Sequence, residues 1–595
     1  MKQFESTWRK GYEFFERYFD TDLNRSVTSK IDLPHEWYEE SSKGLYSYIL
    51  DENIKLDKKQ GNAKRGRDQY GFLDPMYRNI RDNYWERDGG YNTTPRIWYL
   101  DIETRVSRSY KNTSNNELAI RNKITGHTEV LSVKQIQHNF YNGGDENFEV
   151  FDTLNANWVE LKQSIYLERN NGFPKPEKSL EEISMFQIYD NKDNVMILLG
   201  LRPWVHEKDY VKEFEFPIKY IHCKNEIEMI NTYLAIFKKL DPLIIYAWNG
   251  SGFDFPYIHN RIEVLGLDTS LLSNHGDVSY SEGLFQGQID FKFKADGHFY
   301  IDLLDVYKKF TFTPLASYAL DNVADFELNE RKVSHTEYAA FDDFYTGKYI
   351  IPTNPTEDQL KSKVYQAAIA GDWGEVRERS HSDFVYYGIK DTYLIKRIDE
   401  SKNFTVLMSM VAEKMGVQIG DSLGTVKPWS QYLSNRSIGD MKVMPKKQEF
   451  DSPNVVGGYV RPPNTGKHKW VLSADVNSMY PLLGMVASNM SPETYVPKYK
   501  LPDDLKEVVL TYFNDQDEGA RLEIPEEIWD HTARLLEKHD LALAVNGAVF
   551  RKDTPGIIPV MVQDIYDSRK TAKKTQFKYE QRKILISEII KEKSK

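Results

Sequence analysis

Asp101 and Glu103 stand one residue apart at the end of the run Ile97-Trp-Tyr-Leu-Asp-Ile-Glu-Thr104. The residues before them are apolar, β-branched and aromatic, which predicts a buried strand. Residues i and i+2 of a strand face the same way, so both carboxylates project from one side of a hydrophobic sheet. Two like charges that close call for a cation, and a metal site is the chemistry the pair suggests. With 89 acidic residues in 595, acid-x-acid triplets arise by chance about a dozen times, so the pair needs support from elsewhere in the chain. Asp254 ends Trp248-Asn-Gly-Ser-Gly-Phe-Asp254, a turn of small residues that places it near the start of a helix; a helix-capping aspartate is the plainer alternative. Tyr387 and Asp391 lie at i, i+4 in a segment with helical periodicity (Asp383 to Arg397) and share a helix face, where a structural tyrosine–acid pair is the alternative.

These residues need a scaffold, and the intervening sequence describes one. Ile183-Ser-Met-Phe-Gln-Ile-Tyr189 and Val195-Met-Ile-Leu-Leu199 flank a polar turn and predict a hairpin. Asn225 caps a helix, with Glu228 three residues on and Ile227, Ile230, Leu234 and Phe237 at helical spacing. The strand Leu243-Ile-Ile-Tyr-Ala247 follows. Three strands able to pair antiparallel, a helix and a further strand make the α/β order of a ribonuclease-H-like nuclease core, whose metal-binding acids sit at strand ends. Between the first two strands, residues from about 106 to 170 form short alternating segments broken by Asn and Gly, and predict a small β-rich insertion.

Composition bounds the rest. The length implies several domains. No apolar run reaches the length of a membrane span and the N-terminus lacks a signal peptide, so a soluble, cytoplasmic protein is expected. The single cysteine, Cys223, excludes internal disulfides and cysteine-based zinc sites. A net charge of −11 does not suit a general polyanion binder; any nucleic-acid contact must come from local basic patches. Lys58-Lys-Gln-Gly-Asn-Ala-Lys-Arg-Gly-Arg67 reads as a solvated loop.

Taken together, Asp101-Ile-Glu103, Asn249-x3-Phe-Asp254 and Tyr387-x3-Asp391 resemble the three exonuclease motifs of family B DNA polymerases, in their order and context. The likeness is nearest to the replicative polymerases of T-even-like phages. Ile301-Asp-Leu-Leu-Asp-Val-Tyr-Lys-Lys-Phe-Thr-Phe312, Ser317-Tyr-Ala-Leu-Asp321 and Phe326-Glu-Leu-Asn329 extend it beyond the acids. It implies a 3′→5′ proofreading exonuclease using two Mg²⁺ ions, for which Mn²⁺ can substitute, held by Asp101, Glu103, Asp254 and Asp391, with Tyr387 orienting water or the scissile phosphate. It also implies an α+β multidomain chain: an N-terminal domain (1–95), the exonuclease domain (96–403), a return segment of the N-terminal domain (404–447), part of a polymerase palm (448–555) and the start of the fingers (556–595).

In that palm, Val455-Val-Gly-Gly-Tyr-Val460 resembles the family's entry motif, with Val455 where tyrosine is usual. Trp470-Val-Leu-Ser-Ala-Asp475-Val-Asn-Ser-Met-Tyr480-Pro481 resembles motif A, a strand delivering Asp475 to catalytic metals. By resemblance Ser478, Met479 and Tyr480 face the incoming nucleotide, and Tyr480 excludes a 2′-hydroxyl sterically. Arg569 and Lys573 share a helix face able to hold a triphosphate. The family's later motifs, K-x3-N-S-x-Y-G and Y-G-D-T-D-S, do not follow. Phe19-Asp-Thr-Asp22 spells part of the latter out of order and is a decoy. The expected partners are primer–template DNA, deoxynucleoside triphosphates, a C-terminal polymerase fragment bearing the missing palm and thumb, and a sliding clamp; no membrane is expected. A stand-alone exonuclease with a relic palm, and a non-catalytic nucleic-acid binder, are the alternative readings.

Overall fold

The computed structural model describes all residues except 62–69, 72–73, 106–116, 133–134, 136–146, 153–156, 161–173, 180, 286–287, 339–340, 446–460, 477, 514–523, 545 and 594–595. The palm-entry motif at Val455–Val460 therefore lies outside the described residues, as do much of the 106–170 segment and the end of the Lys58–Arg67 stretch. Two compact units divide the chain: residues 1–32 with 83–425, and residues 33–82 with 426–595.

The first unit is built on a six-stranded sheet ordered Ile218–His222, Val195–Gly200, Ile183–Asp190, Ile97–Thr104, Ile244–Ala247, Phe299–Asp302. Ile97–Thr104 sits inside it, antiparallel to Ile183–Asp190 and parallel to Ile244–Ala247. Its sequence alternates between two cores. Trp98, Leu100 and Ile102 pack on the helices Glu226–Leu240 and Asp254–Val264. Ile97 and Tyr99 face the opposite layer, formed chiefly by the 30-residue helix Trp373–Lys402 through Phe384, Val385, Ile389 and Ile395. Asp101 and Glu103 continue the Ile97–Tyr99 row, so period two alone aims them at the long helix. The Tyr99 hydroxyl donates to Asp399 Oδ2 at 2.6 Å and ties that row to the helix near its C-terminal end.

Local signals account for the flanking elements. The Asn225 side chain accepts from the Glu228 N–H, capping its helix as the spacing predicts. That helix ends at Asp241 with φ 51°, and the long helix ends at Asn403 with φ 54°, both left-handed termini. The strands Lys2–Lys10, Glu13–Asp20 and Arg25–Ile31 form an antiparallel sheet. Its buried Arg17 donates to Glu5 Oε2 at 2.8 Å and to the Asp241 carbonyl at 2.7 Å, which seats this sheet on the core around the six-stranded sheet. Asp20, of the decoy tetrapeptide, accepts the N–H groups of Asp22 and Leu23 in a tight turn. Within 106–170 a four-stranded sheet is described, ordered Asn157–Glu160, Phe148–Asp152, Glu117–Asn122, Thr128–Ser132.

In the second unit, Lys442–Val443 pairs in parallel with Tyr46–Tyr48, and Asp51–Gly61 pairs with His35–Glu40. Lys58 and Lys59 thus belong to a strand instead of the expected loop, because Lys58 is held by Glu36 Oε2 at 2.7 Å. The helices Asp503–Tyr512 and Glu526–His539 share a core of Leu501, Leu505, Val509, Phe513 and Leu535. The chain runs on into the helix Ile557–Lys593, whose first turn is secured by Ser491 Oγ and Glu493 Oε1 accepting from Ile558 and Ile557. The unit boundaries differ from the segments expected from sequence. Phe404 and Met408 pack into the core of the first unit, so 404–425 belong with it, while 426–445 go with the second unit.

Candidate active site of the first unit

Asp101, Glu103 and Asp391 converge, with one carboxylate oxygen of each lying within 4.8 Å of the others. Asp254 begins the helix Asp254–Val264, and its Oδ1 accepts the Ile102 N–H at 3.3 Å, from the backbone between the two strand acids. Tyr387 and Asp391 lie one helical turn apart, and the Tyr387 ring is wedged among His335, Phe341 and Phe344. All five residues singled out from the sequence are therefore brought together, on a surface made by the central strand, the start of one helix and the middle of another.

The electrostatics are those of a site short of positive charge. Burial, then the Asp391 carboxylate, pushes Asp101 up to about 7. Burial and then Asp101 raise both Glu103 and Asp254 well above the carboxylate range. Asp391 is raised by burial, against the pull of Lys332. Asp391 Oδ1 is buried and has no hydrogen-bond partner. Clustered oxygens whose proton affinity burial and like charge have raised, with one lone-pair face open, are the donor set that a hard divalent ion takes.

Two residues with roles here were not assigned from sequence. Lys332 Nζ donates to Asp391 Oδ2 at 2.5 Å and to the Tyr387 hydroxyl at 3.3 Å. Burial alone would lower the lysine, but Asp391 and Asp101 outweigh it and hold it protonated. It follows the left-handed residue Asn329 in an irregular stretch, where a single lysine carries no periodic signal. Asp302 ends the edge strand Phe299–Asp302. Its carboxylate accepts from Asn249 N at 3.0 Å, Ser251 N at 3.2 Å and Leu304 N at 2.9 Å, so it holds the turn that delivers Asp254. That turn needs glycine at 250, where a Cβ would lie 2.7 Å from Ala247 Cβ. Asp302→Ala strands those N–H groups and is expected to lower stability by about 2–3 kcal/mol in urea unfolding, with a smaller loss for Asp302→Asn.

A second acid–imidazole cluster, Asp241, His275 and His298, already has its cation. Arg17 pairs with Asp241 Oδ2 at 3.2 Å, and His298 Nε2 accepts the Asn274 N–H at 3.1 Å.

The second unit is less assembled around its sequence-derived residues. Residues 470–476 form no strand: Trp470 and Leu472 are 98% and 94% exposed, and Asp475 is exposed beside them. Among the described residues no strand pairs with this segment, and a lone strand leaves its ladder groups unmatched, so the expected motif A strand is not formed there. Ser478 has φ 52°, and Met479 and Tyr480 are exposed where a wide helical turn, Tyr480–Val486, begins. Arg569 and Lys573 lie exposed at i, i+4 on the helix Ile557–Lys593. Among the described residues, no hydrogen bond or ion pair joins Asp475 or Tyr480 to Arg569 or Lys573. No helix there is long and apolar enough to cross a membrane.

Residues 155–323 match DNA polymerase family B, exonuclease domain, a span that holds Asp254 and Asp302. The DNA-directed DNA polymerase of Escherichia phage RB69 is 25% identical over 426 residues, 68% of this chain and 40% of that protein. That of Enterobacteria phage T4 is 23% identical over 438 residues, 70% of this chain and 42% of that protein. A DNA polymerase of a Desulfurococcus species is 25% identical over 361 residues, 59% and 36% of the two chains. The chain thus spans about two fifths of the length of the phage relatives.

Proposed function

We propose that this chain, which carries a family B DNA polymerase exonuclease domain, removes nucleotides from the 3′ end of DNA in the cytoplasm of the cell that makes it. The convergence of Asp101, Glu103 and Asp391 within 4.8 Å, with Asp391 Oδ1 unpartnered, is the observation that carries this reading. Together with Asp254 these acids would hold two divalent ions, Mg²⁺ by the hardness of the donors. When bound, such ions supply a water made nucleophilic at neutral pH and relief of charge on the phosphate.

The protein's own groups do the rest. The Tyr387 hydroxyl, far too weak an acid to ionise where it is buried, stays a neutral donor that can orient a water or a phosphate oxygen. Lys332 fixes Tyr387 and Asp391 through one ammonium, which sets the spacing of the helix-borne half of the site. Asp302 fixes the turn at Asn249 and, through it, Asp254. Asn225 and the apolar row of the central strand keep the sheet rigid beneath.

For the second unit we propose half of a nucleotidyl-transfer site: Asp475 for metal, Tyr480 with Ser478 and Met479 at the sugar, and Arg569 and Lys573 on the triphosphate. The exposed apolar run at Trp470–Leu472 supports completion of the palm by further polymerase elements carrying the second carboxylate. A 5′-labelled primer–template, incubated with Mg²⁺ with and without the four deoxynucleotides, tests both halves. Shortening without extension is the expected result, and extension restored by a fragment bearing the absent motifs would support the partnership. Extension by the chain alone would overturn the half-site reading, and an unchanged primer would overturn the exonuclease.

A further inference from the structure

Gln187 lies directly across the ladder from Asp101, in the strand Ile183–Asp190, and so shares its face of the sheet. Its side chain is fully buried, and neither Oε1 nor Nε2 has a hydrogen-bond partner. A carboxamide has two donors and two acceptor positions, and leaving them all empty in a dry layer is among the least favourable things a core residue can do. Leucine or methionine would fill the same volume without that penalty. The helix above makes a matching concession. Gly388 sits between Tyr387 and Asp391, and a Cβ there would lie 2.4 Å from Gln187 Nε2. Glycine in a helix interior is unfavourable relative to alanine, so here the helix gives up stability to leave room for an amide. One turn on, Thr392 is also fully buried with Oγ1 unpartnered. Three departures from good packing, on two elements, meet beside the acids that would hold metal. Local rules broken together at one point mark a place kept for function.

We propose that Gln187 is a positioning residue for Asp101: its amide N–H donates to the Asp101 carboxylate when that group holds a divalent ion, and fixes the orientation of its oxygens. In this structure the amide has no partner of its own. Gly388 is the space this arrangement requires. The inference rests on the metal-dependent exonuclease reading above.

The test uses the whole chain and Mn²⁺ alone as probe, with affinity read by calorimetry or electron spin resonance and fold stability read separately. Gln187→Met is expected to leave the melting temperature of the metal-free protein unchanged or higher, while Mn²⁺ binds about tenfold or more weakly and kcat falls at unchanged KM for an oligonucleotide. Gly388→Ala, which keeps the amide but displaces it, is expected to weaken Mn²⁺ in the same way even though alanine favours the helix. Wild-type Mn²⁺ affinity in either variant would overturn the proposal. A loss of affinity matched by a fall in melting temperature would also overturn it, because the residue would then be packing alone. A wild-type chain that bound no Mn²⁺ would overturn the exonuclease reading itself, and is thereby distinguished from failure of this inference.

Discussion

Asp101→Ala combined with Glu103→Ala is expected to reduce 3′-terminal hydrolysis by roughly 10³-fold or more, the scale on which preorganised electrostatic stabilisation acts in active sites. The same site predicts the opposite effect on stability. In the metal-free protein Asp101 is pushed up to about 7, chiefly by burial and then by Asp391, so the folded state keeps a proton that the unfolded chain releases near pH 4. A carboxyl raised on folding contributes stability that is full below its unfolded value and is lost as pH rises through its folded value. Metal-free wild type is therefore expected to lose stability between about pH 4 and 7 from this group, whereas Asp101→Asn escapes the loss. The difference in melting temperature between variant and wild type should grow across that window, level off above it, and shrink when Mg²⁺ or Mn²⁺ is added to wild type. A variant that melts lower than wild type at pH 8 without metal would contradict this account of the site.

Lys332→Met is the second large effect. Lys332 is the cation bonded to Asp391 among the described residues, and it also holds the Tyr387 hydroxyl. Removing one partner of a buried pair is usually severe, at about 3–5 kcal/mol, but here Asp391 can take up a proton and soften the loss to roughly 1–3 kcal/mol. That uptake fixes the sign with pH. Without the ammonium, Asp391 rises further, so the variant should be close to wild type near pH 5 and progressively less stable toward pH 8. Hydrolysis should fall by about 10²-fold in kcat, because the tyrosine and the helix-borne carboxylate lose their common anchor. Chemical denaturation at the two pH values, with single-turnover hydrolysis beside it, measures both. Equal stability losses at pH 5 and pH 8 would show that the lysine does not set the protonation of Asp391.

How much of this could be read from sequence depended on whether a residue's role follows from its own element. Asp101 and Glu103 were legible because strand period two puts them on the Tyr99 face, and Tyr387 with Asp391 because i, i+4 puts them on one helical face. Asp254 was legible as a helix-start acid, although Phe253 and not Asp254 occupies the cap. Lys332, Asp302 and Gln187 were not legible in this way. Each acts on a residue that tertiary packing alone brings near: Lys332 on a helix 55 to 59 residues away in sequence, Asp302 on a turn about 50 residues before it, and Gln187 across a ladder. The same limit explains Trp470–Asp475. Its apolar pattern reads as a strand, but a strand exists only where neighbours accept its ladder, and none does among the described residues. The division into two compact units has no local signature for a related reason. The first 32 residues join the exonuclease core through the buried Arg17 and its bonds to Glu5 and Asp241, a contact with no local signature.

The claim that one metal-dependent site removes nucleotides from the 3′ end is tested most directly by a single-stranded oligonucleotide labelled on its last phosphate. Label should leave first, as a mononucleotide, in Mg²⁺. It should stay in place with chelator or with the Asp101→Ala, Glu103→Ala double variant. Release of the label only after the 5′ end has been degraded, or equal release by the double variant, would contradict the account.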